Sequence, residues 1–422
     1  MSREMKHSGI EWIGEIPKEW KSASFKYFHK KANVGESIDK IYCSDNPVDT
    51  LFYTAGIEPI HTIYQDFPQW KYTKIKDLLL ARNGTPYVYL PVPNSVYSDH
   101  IIRVEIKDDC VKEYIRYCLQ QAISYVVVDT VSIATWSISL WDKQYLPLPL
   151  HHEQQKIANY LDKVCGEVDE MTALQEQMIE ELKAYKQSVI TEAVTKGLNP
   201  NTPMKDSGID WIGEVPEHWE LEPLKFCFGR RSEKNNPVKT KERLSLSIDK
   251  GVTLYAEKTT NLDRFKDDFT QYQLAYPNDI VLNCMNMIVG AVGISKYMGC
   301  VSPVYYVIYP VKPKIDALYY SYLLNIPTIR GVYYSLGKGI YAIERGEGRV
   351  NTCRLKVSYD DFGRLDIPIP PLKEQKEITE YIQQKSSEID ALIALKQSKI
   401  EELKEYKKSV IYEYVTGKKE VV

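Results

Sequence analysis

The sequence predicts an α+β fold in which two α/β domains in a pseudo-two-fold arrangement are joined by two long antiparallel helices that form a coiled coil. Three observations support this prediction: a long helical segment occurs twice, a short motif occurs twice, and a dissimilar β-rich stretch follows each short motif. A repeat of this kind is typical of one structural module used twice in the same chain.

The long helical segment spans Glu153–Thr195 and again Glu374–Thr416. The two copies align without a gap at an offset of 221 residues and are identical at 21 of 43 positions. Neither copy contains Pro, and both are rich in Glu, Lys, Gln, Leu and Ile, a composition that favours helix. A straight helix of this length spans roughly 65 Å, which is too long for a core helix of one small domain.

The apolar residues of these segments recur at alternating steps of four and three, which is typical of a coiled-coil seam. Gln175 and Lys396 are equivalent positions near the two helix midpoints, so antiparallel pairing would bring them together as a polar layer that fixes the register. The alternative is that each is an exposed helix position. The predicted seam consists of Ile157, Leu161, Val168, Gln175, Leu182, Tyr185, Val189, Ile378, Ile382, Ile389, Lys396, Leu403, Tyr406 and Val410.

The short motif spans Lys6–Trp20 and Lys205–Trp219, with 10 of 15 positions identical at an offset of 199 residues. The two offsets differ by 22 residues, so that insertion lies in the second variable stretch. Four of the seven Trp residues belong to these two motifs, which favours a packing role over a chemical one.

These repeats give the expected domain boundaries. We expect a first domain at 1–150, a first helix at 151–197, a polar linker at 198–204, a second domain at 205–371, and a second helix with the tail at 372–422. Within the domains, β-rich runs bounded by turn residues predict strands at Asp77–Ala81, His100–Ile106 and Val289–Val292. Residues 331–349 have little periodicity and are predicted to form a surface loop.

Composition excludes some classes of protein. There is no apolar run near 18 residues, so no membrane span is expected, and the first residues contain no apolar signal segment. The eight Cys are scattered, which is typical of reduced thiols in a cytoplasmic protein. The net charge of −3 argues against nucleic-acid binding for the chain as a whole, but the acidic residues gather on the long helices and the basic residues cluster elsewhere.

Catalytic patterns are scarce. The segment 331–339 resembles a phosphate-binding loop but lacks the required spacing and the Ser or Thr after Lys. Asp99, Glu105 and Lys107 could belong to a metal-dependent nuclease, although alternating residues of a strand explain them more simply. We expect no catalytic residues and no bound metal.

With the motifs Gly9–Trp20, Gly208–Trp219, Ile179–Thr195 and Ile400–Lys418, the chain closely resembles the specificity subunit (HsdS type) of type I restriction–modification systems. The resemblance covers the whole chain and both recognition regions, as expected for a full-length subunit. One departure is Leu150–His152, where the second copy has Pro371–Lys373, and it loosens the match at one helix entry only.

The resemblance implies that each variable region is a target-recognition domain for one half of a bipartite double-stranded DNA sequence, and that the coiled coil sets the separation of the halves. It implies partners: two modification subunits, which use S-adenosylmethionine to methylate adenine N6, and a restriction subunit, which uses ATP and Mg. No cofactor is expected in this chain. Two alternatives stay open, namely a stand-alone metal-dependent nuclease and a coiled-coil adaptor without DNA binding.

Residues that contact DNA are expected on polar loops, because amides and guanidinium groups recognise base edges whereas Lys and Arg contact phosphates. The alternatives are surface turns, turn-capping by the Asn pair, and solvated charges. The candidate base-contacting residues are Arg82, Asn83, Thr85, Tyr87, Asn283, Asn286, Lys296 and Tyr297, and the candidate phosphate-contacting residues are Arg230, Arg231, Lys234, Lys338, Arg345 and Arg349.

Overall fold

The computed structural model describes residues 3–125, 135–257, 268–339 and 355–421, together with the backbone of 344–345 and 349–350. Two helices are far longer than the others, and neither contains Pro. The α-helices of the described residues are α1 (Lys112–Ser124), α2 (Ile138–Asp142), α3 (His151–Lys196), α4 (Leu224–Cys227), α5 (Ala317–Leu323), α6 (Pro327–Leu336), α7 (Tyr359–Gly363) and α8 (Leu372–Val415).

The chain divides into two compact units. Unit 1 contains Met1–Glu176 and Gln397–Val422, and unit 2 contains Gln177–Lys396. Each unit therefore combines one α/β domain with about half of α3 and half of α8. The sequence, by contrast, suggested that each helix is a segment separate from the domains.

Where unit 1 is described, its strands form two four-stranded sheets and two two-stranded ribbons. The larger sheets have the orders β4-β11-β8-β9 and β10-β6-β7-β5. The strands are β1 (Met5–His7), β2 (Glu15–Pro17), β3 (Lys21–Ser24), β4 (His29–Val34), β5 (Cys43–Ser44), β6 (Thr50–Tyr53), β7 (Ile60–Thr62), β8 (Asp77–Ala81), β9 (Val88–Tyr89), β10 (Val96–Tyr97), β11 (Ile101–Ile106) and β12 (Tyr145–Leu148).

Among its described residues, unit 2 has one four-stranded sheet, of order β16-β23-β20-β21, and several two-stranded ribbons. Its strands are β13 (Met204–Asp206), β14 (Glu214–Pro216), β15 (Glu220–Pro223), β16 (Phe228–Arg230), β17 (Leu244–Ser247), β18 (Gly251–Leu254), β19 (Gln273–Ala275), β20 (Ile280–Asn283), β21 (Val292–Ile294), β22 (Gly299–Val301), β23 (Tyr305–Pro310), β24 (Glu344–Arg345), β25 (Arg349–Val350) and β26 (Asp366–Ile369).

The central sheets of the two units have the same antiparallel topology although their sequences differ. In unit 1, Leu78 and Leu80 of β8 face the main core, while Leu79 and Ala81 face a second core on the other side. In unit 2, Ile280 and Leu282 face the main core and Val281 faces a smaller one. Side chains of a strand alternate between its two faces. A strand that has a core on each side therefore has a sequence of consecutive apolar residues.

The two short motifs form the same small structure in both units. Met5 pairs with Pro17 across the β1–β2 ribbon, and Met204 pairs with Pro216 across β13–β14. Trp20 and Trp219 are buried in the main cores. The packing role predicted for these tryptophans agrees with this burial.

The halves of α3 and α8 that share a unit run antiparallel. In unit 1, Lys407 Nζ lies 2.6 and 2.7 Å from the carboxylate oxygens of Asp169, and the rings of Tyr160 and Tyr414 are 4.4 Å apart. In unit 2, Lys186 Nζ lies 2.8 and 2.7 Å from the carboxylate oxygens of Asp390. In unit 1, sequence numbers therefore rise along α3 as they fall along α8. The same holds in unit 2, where a Cβ atom on Gly197, just after α3, would lie 3.0 Å from Glu374 Oε1 near the start of α8.

Burial along the long helices follows much of the predicted seam, with one correction. Tyr185 and Tyr406 are 57% and 53% exposed, so both residues lie at the helix surface and not within the buried seam. Gln175, Leu182 and Lys396 are half-buried. The other seam residues are buried, namely Ile157, Leu161, Val168, Val189, Ile378, Ile382, Ile389, Leu403 and Val410.

Two local predictions are wrong. Residues 289–292 are not one strand, because Gly290 has φ +99°, in the left-handed region, and ends a 3₁₀ turn before β21 begins. Residues 331–336 belong to α6 rather than to a loop. Pro327 begins that helix, and Ile329 and Tyr333 are buried at a spacing of four, a helical signal that Gly331 obscured.

Candidate nucleic-acid interface

The first candidate loop connects β8 to β9 at the exposed end of the unit 1 sheet. Gly84 has φ +81° and allows the chain to reverse between the two strands. Arg82 and Asn83 are half-buried, and Thr85 is exposed on this loop. Tyr87 differs, because its ring packs 4.7 Å from that of Tyr89 and joins the second core, which makes it a packing residue.

Two further chain segments meet this loop. Arg82 Nη1 donates to the backbone oxygen of Asp99 (3.3 Å), and Asn83 Nδ2 lies 2.7 Å from His100 Nδ1. Ser37 Oγ donates to Asp99 Oδ1 (2.6 Å). We call Ser37, Arg82, Asn83, Asp99 and His100 the unit 1 loop cluster. Its side chains are held by one another at the surface of the domain.

A glycine makes this convergence possible. Gly35 N donates to Ile101 O (3.1 Å), and a Cβ atom on Gly35 would lie 2.1 Å from the backbone oxygen of Ser98. Only glycine allows the segment that contains Ser37 to cross so close to the segment that contains Asp99.

In unit 2 the equivalent loop connects β20 to β21. Asn283 is half-buried, and its Oδ1 accepts from the backbone N–H of Met285 (3.1 Å), which is the turn-capping alternative considered for this residue. Asn286 is exposed. The two equivalent loops therefore present different side chains to solvent.

Lys296 and Tyr297 do not join Asn283 and Asn286. They follow β21, beside the start of β20, where Ser295 N donates to Asp279 O (2.8 Å). They thus lie at the opposite end of the β20–β21 hairpin from Asn283 and Asn286. Lys296 is exposed, whereas Tyr297 packs against the smaller core of unit 2.

The neighbouring arginines of unit 2 have different environments. Arg231 makes two hydrogen bonds to Asp279, at 2.6 and 2.9 Å, and stacks against Tyr276 and Tyr309. The hydrogen bonds that Arg231 donates to the Asp279 carboxylate raise the pKa of Arg231. Because this buried carboxylate occupies the guanidinium, Arg231 is a structural residue, which argues against the predicted phosphate contact.

Arg230 is exposed, and among the described residues it pairs with no carboxylate. Its guanidinium lies 5.2 Å from the ring centroid of Tyr306 and 4.8 Å from that of Tyr359. Stacking on two rings restricts the side chain while leaving its charge available to an anion. Arg230 therefore fits a phosphate contact better than Arg231 does.

The remaining candidate phosphate-contacting residues are Lys234, Lys338, Arg345 and Arg349. Lys234 is exposed. The Lys338 side chain is 83% exposed and lies 3.5 Å from a carboxylate oxygen of Asp361. The side chains of Arg345 and Arg349 lie outside the described residues.

The possible nuclease site does not assemble. Asp99 lies in the turn before β11 and Glu105 lies near the far end of that strand. The four extended steps from Ile101 to Glu105 alone span about 13 Å, so the two carboxylates cannot bind one metal ion. Glu105 instead pairs with Lys30 at 3.2 Å. No group of three His, Cys, Asp or Glu side chains in the described ranges has the geometry of a metal site.

Sequence reasoning missed Ser37 and His100 as members of the cluster. His100 was assigned only to a strand, and Ser37 belongs to no motif. The Gly35 approach that brings Ser37 to Asp99 is a long-range contact and has no local sequence signal.

The described helices include none that is long and apolar enough to cross a bilayer.

Two α/β domains whose central sheets have the same topology, each assembled with parts of the same two long helices, define a duplicated two-domain protein of mixed α/β structure. The family model of the type I restriction modification DNA specificity domain matches residues 17–184 and 233–405. These two stretches make up most of the chain, which therefore belongs to this family.

Curated relatives are similar over part of their length. The chain is 26% identical over 252 residues to a Methanocaldococcus jannaschii protein provisionally assigned as the MjaX type I restriction enzyme specificity subunit, covering 56% of this chain and 51% of that protein. It is 23% identical over 354 residues to the type I restriction enzyme EcoBI specificity subunit of Escherichia coli, covering 75% and 67%. The chain thus spans about half the length of the first relative.

A solved structure has the same fold. A chain from a study of complex assembly and conformational transition of the type I R-M system superposes with a TM-score of 0.64, covering 95% of this chain and 98% of that one. The sequence identity is 14%, so this likeness concerns the fold alone.

Proposed function

We propose that this chain is the DNA-recognition subunit of a type I restriction–modification complex. Residues 1–150 and 205–371 would act as target-recognition domains, each contacting one half of a bipartite sequence. The observation that supports this most directly is that central sheets of one topology carry different polar loops: the unit 1 loop cluster in one domain, and the Asn283–Asn286 turn in the other. Different loops on one scaffold suit the reading of two unlike half-targets.

We further propose that α3 and α8 form one continuous antiparallel coiled coil that sets the spacing between the half-targets. In support, the ion pairs Asp169–Lys407 and Lys186–Asp390 are exchanged by the 221-residue duplication and so follow one register. If the same register continues to the middle of the helices, the two-fold axis lies at residues 177–178 of α3 and 398–399 of α8. These positions are slightly beyond Gln175 and Lys396. A stiff helical pair maintains a fixed separation, which a flexible linker would not.

The proposed partners are double-stranded DNA, two modification subunits that use S-adenosylmethionine, and a restriction subunit that uses ATP and Mg. The chain itself would supply recognition and no catalytic group. The family membership supports this division of labour, and the separation of Asp99 from Glu105 along β11 disfavours a nuclease.

The test is to sequence the methylome of a host that expresses this chain with its modification subunits. We expect methylation of one bipartite sequence. Insertion of seven residues into both helices at the proposed axis, after Gln177 and after Ser398, preserves the heptad phase and lengthens each helix by about 10 Å, so the spacer should grow by about three base pairs. Insertion into one helix alone should abolish recognition. If the chain assembles with its partners but shifts no duplex, it is an adaptor instead.

Point variants separate the two kinds of DNA contact. Arg82→Ala should cost about 1–3 kcal/mol at one base position, whereas Lys338→Ala should weaken all sequences alike and reduce the salt dependence of binding. Uniform weakening by Arg82→Ala would exclude Arg82 as a base-contacting residue.

A further inference from the structure

The unit 1 loop cluster determines which ring nitrogen of His100 accepts a hydrogen bond. An amide nitrogen can only donate a hydrogen bond, so at 2.7 Å from Asn83 Nδ2 the Nδ1 atom of His100 must be the unprotonated acceptor. The ring hydrogen of neutral His100 is then on Nε2. Asp99 Oδ1 lies 3.9 Å from this Nε2 atom, so its negative charge favours the same tautomer. Ser37 in turn holds that carboxylate.

The same contact orients the Asn83 amide. Among the described residues, the bond to His100 is the one hydrogen bond that the Asn83 side chain makes. It uses one of the two amide hydrogens. When His100 takes the hydrogen that points away from Oδ1, the other hydrogen and Oδ1 remain side by side on the free edge of the amide.

That free edge has a defined complement on DNA. In the major groove, adenine presents the N6 amino group as a donor next to the N7 acceptor, and an asparagine amide binds both at once. His100 and Asp99 have side chains 48% and 42% exposed, so the cluster lies at a surface that a duplex can reach.

We propose that Asn83 recognises an adenine in the half-target contacted by the first domain, and that His100 is the positioning residue that holds the Asn83 amide. This inference rests on the proposed function and adds the identity of the base. In the equivalent loop of the second domain, the Asn283 oxygen is bound to the backbone of its own turn. Asn283 therefore offers no free amide edge of this kind.

The experiment uses the full chain with its modification subunits and compares methylomes. Asn83→Ala should relax one adenine position of the first half-target to several bases. His100→Leu should relax the same position partially, since its side chain cannot accept a hydrogen bond. His100→Asn should restore discrimination, because its oxygen can take the place of Nδ1. The second half-target, read by an unaltered domain, is the internal control for folding and assembly.

A binding measurement makes the test independent of variant folding. The duplex contains the target sequence identified from the methylome, and one adenine in it is replaced by 7-deazaadenine, which lacks the N7 acceptor. For one adenine of the first half-target, this substitution should weaken binding of the wild-type complex roughly 5- to 150-fold, and it should leave binding of the Asn83→Ala complex unchanged.

The outcomes are distinct. A first half-target without adenine, or 7-deazaadenine without effect at every adenine of that half, would overturn the proposal. So would an Asn83→Ala complex with unchanged base preference. Absence of bipartite methylation by the wild-type complex would instead refute the proposed function.

Discussion

The hydroxyl of Tyr114, on α1, donates to the backbone oxygen of Val415 at 3.1 Å, although the two residues are 301 positions apart. Tyr319 makes the equivalent bond in unit 2, to Val194 O at 2.7 Å. Val415 and Val194 are themselves equivalent in the 221-residue duplication. Each domain therefore packs against the final turns of a long helix, and in the first domain this helix lies at the other end of the chain.

Tyr114→Phe should destabilise unit 1 by about 1–3 kcal/mol, because it leaves the buried oxygens of Val415 and Pro147 without this donor. Urea unfolding, with hydrogen exchange to assign the loss to unit 1, measures the effect. Tyr125→Phe, at a ring 53% exposed, is the control and should change stability by less than about 0.5 kcal/mol. Equal effects would show that the hydroxyl bond contributes little.

Glu374→Gln should weaken unit 2 in a similar test. Glu374 Oε2 accepts from Trp219 Nε1 at 3.1 Å and lies 2.9 Å from His218 Nε2. Bonds to a charged acceptor are stronger than neutral ones, so we expect a loss of about 1 kcal/mol, and a larger loss for Glu374→Ala. The exposed Glu377→Gln is the matched control on the same helix. The prediction fails if the two Gln variants exchange hydrogen at equal rates in unit 2.

Arg230 and Arg231 should respond in opposite ways. Arg230→Ala should preserve stability, weaken binding to every duplex, and reduce the slope of log K against log salt by about 0.9. Arg231→Ala should destabilise unit 2 by about 3 kcal/mol, because it leaves the buried Asp279 carboxylate without its partner. Denaturation and salt-dependent DNA titration of the two variants distinguish these effects. A stable Arg231→Ala protein with weakened DNA binding would reverse the assignment.

Stability in acid should depend on Glu222. Its carboxylate accepts a hydrogen bond from Lys312 and a second from Lys314, which together lower the pKa of the Glu222 carboxyl to about 2. A lowered folded-state pKa contributes stability above the unfolded value of about 4.3, and this contribution is lost as the pH falls from there towards 2.

Urea midpoints at pH 6 and pH 3 test this expectation. The wild-type protein should lose more stability between these pH values than Glu222→Gln does. Glu217→Gln, at an exposed carboxylate, should behave like the wild type. Parallel losses for all three proteins would exclude a contribution from Glu222.

The sequence by itself determined the duplicated elements and their kind. Helical composition and periodicity identified both long helices, and repeated tryptophans identified the packing motif, because these signals depend on neighbouring residues. The β8 strand was predicted at its observed bounds, since a buried five-residue run ends at a turn containing Gly84. Arg82 and Asn83 were found as loop residues for the same local reason.

Only the tertiary structure decided which distant segments meet. The bond between Tyr114 and Val415, the division of each long helix between two units, and the passage of Gly35 beside Ser98 all join residues far apart in sequence. The structure also separated Arg230 from Arg231, because their difference depends on the buried Asp279. Asp279 is 48 residues from Arg231 in the sequence, so the residues around the two arginines do not indicate which of them it binds. The folded structure is needed to show that Arg231 is the one paired.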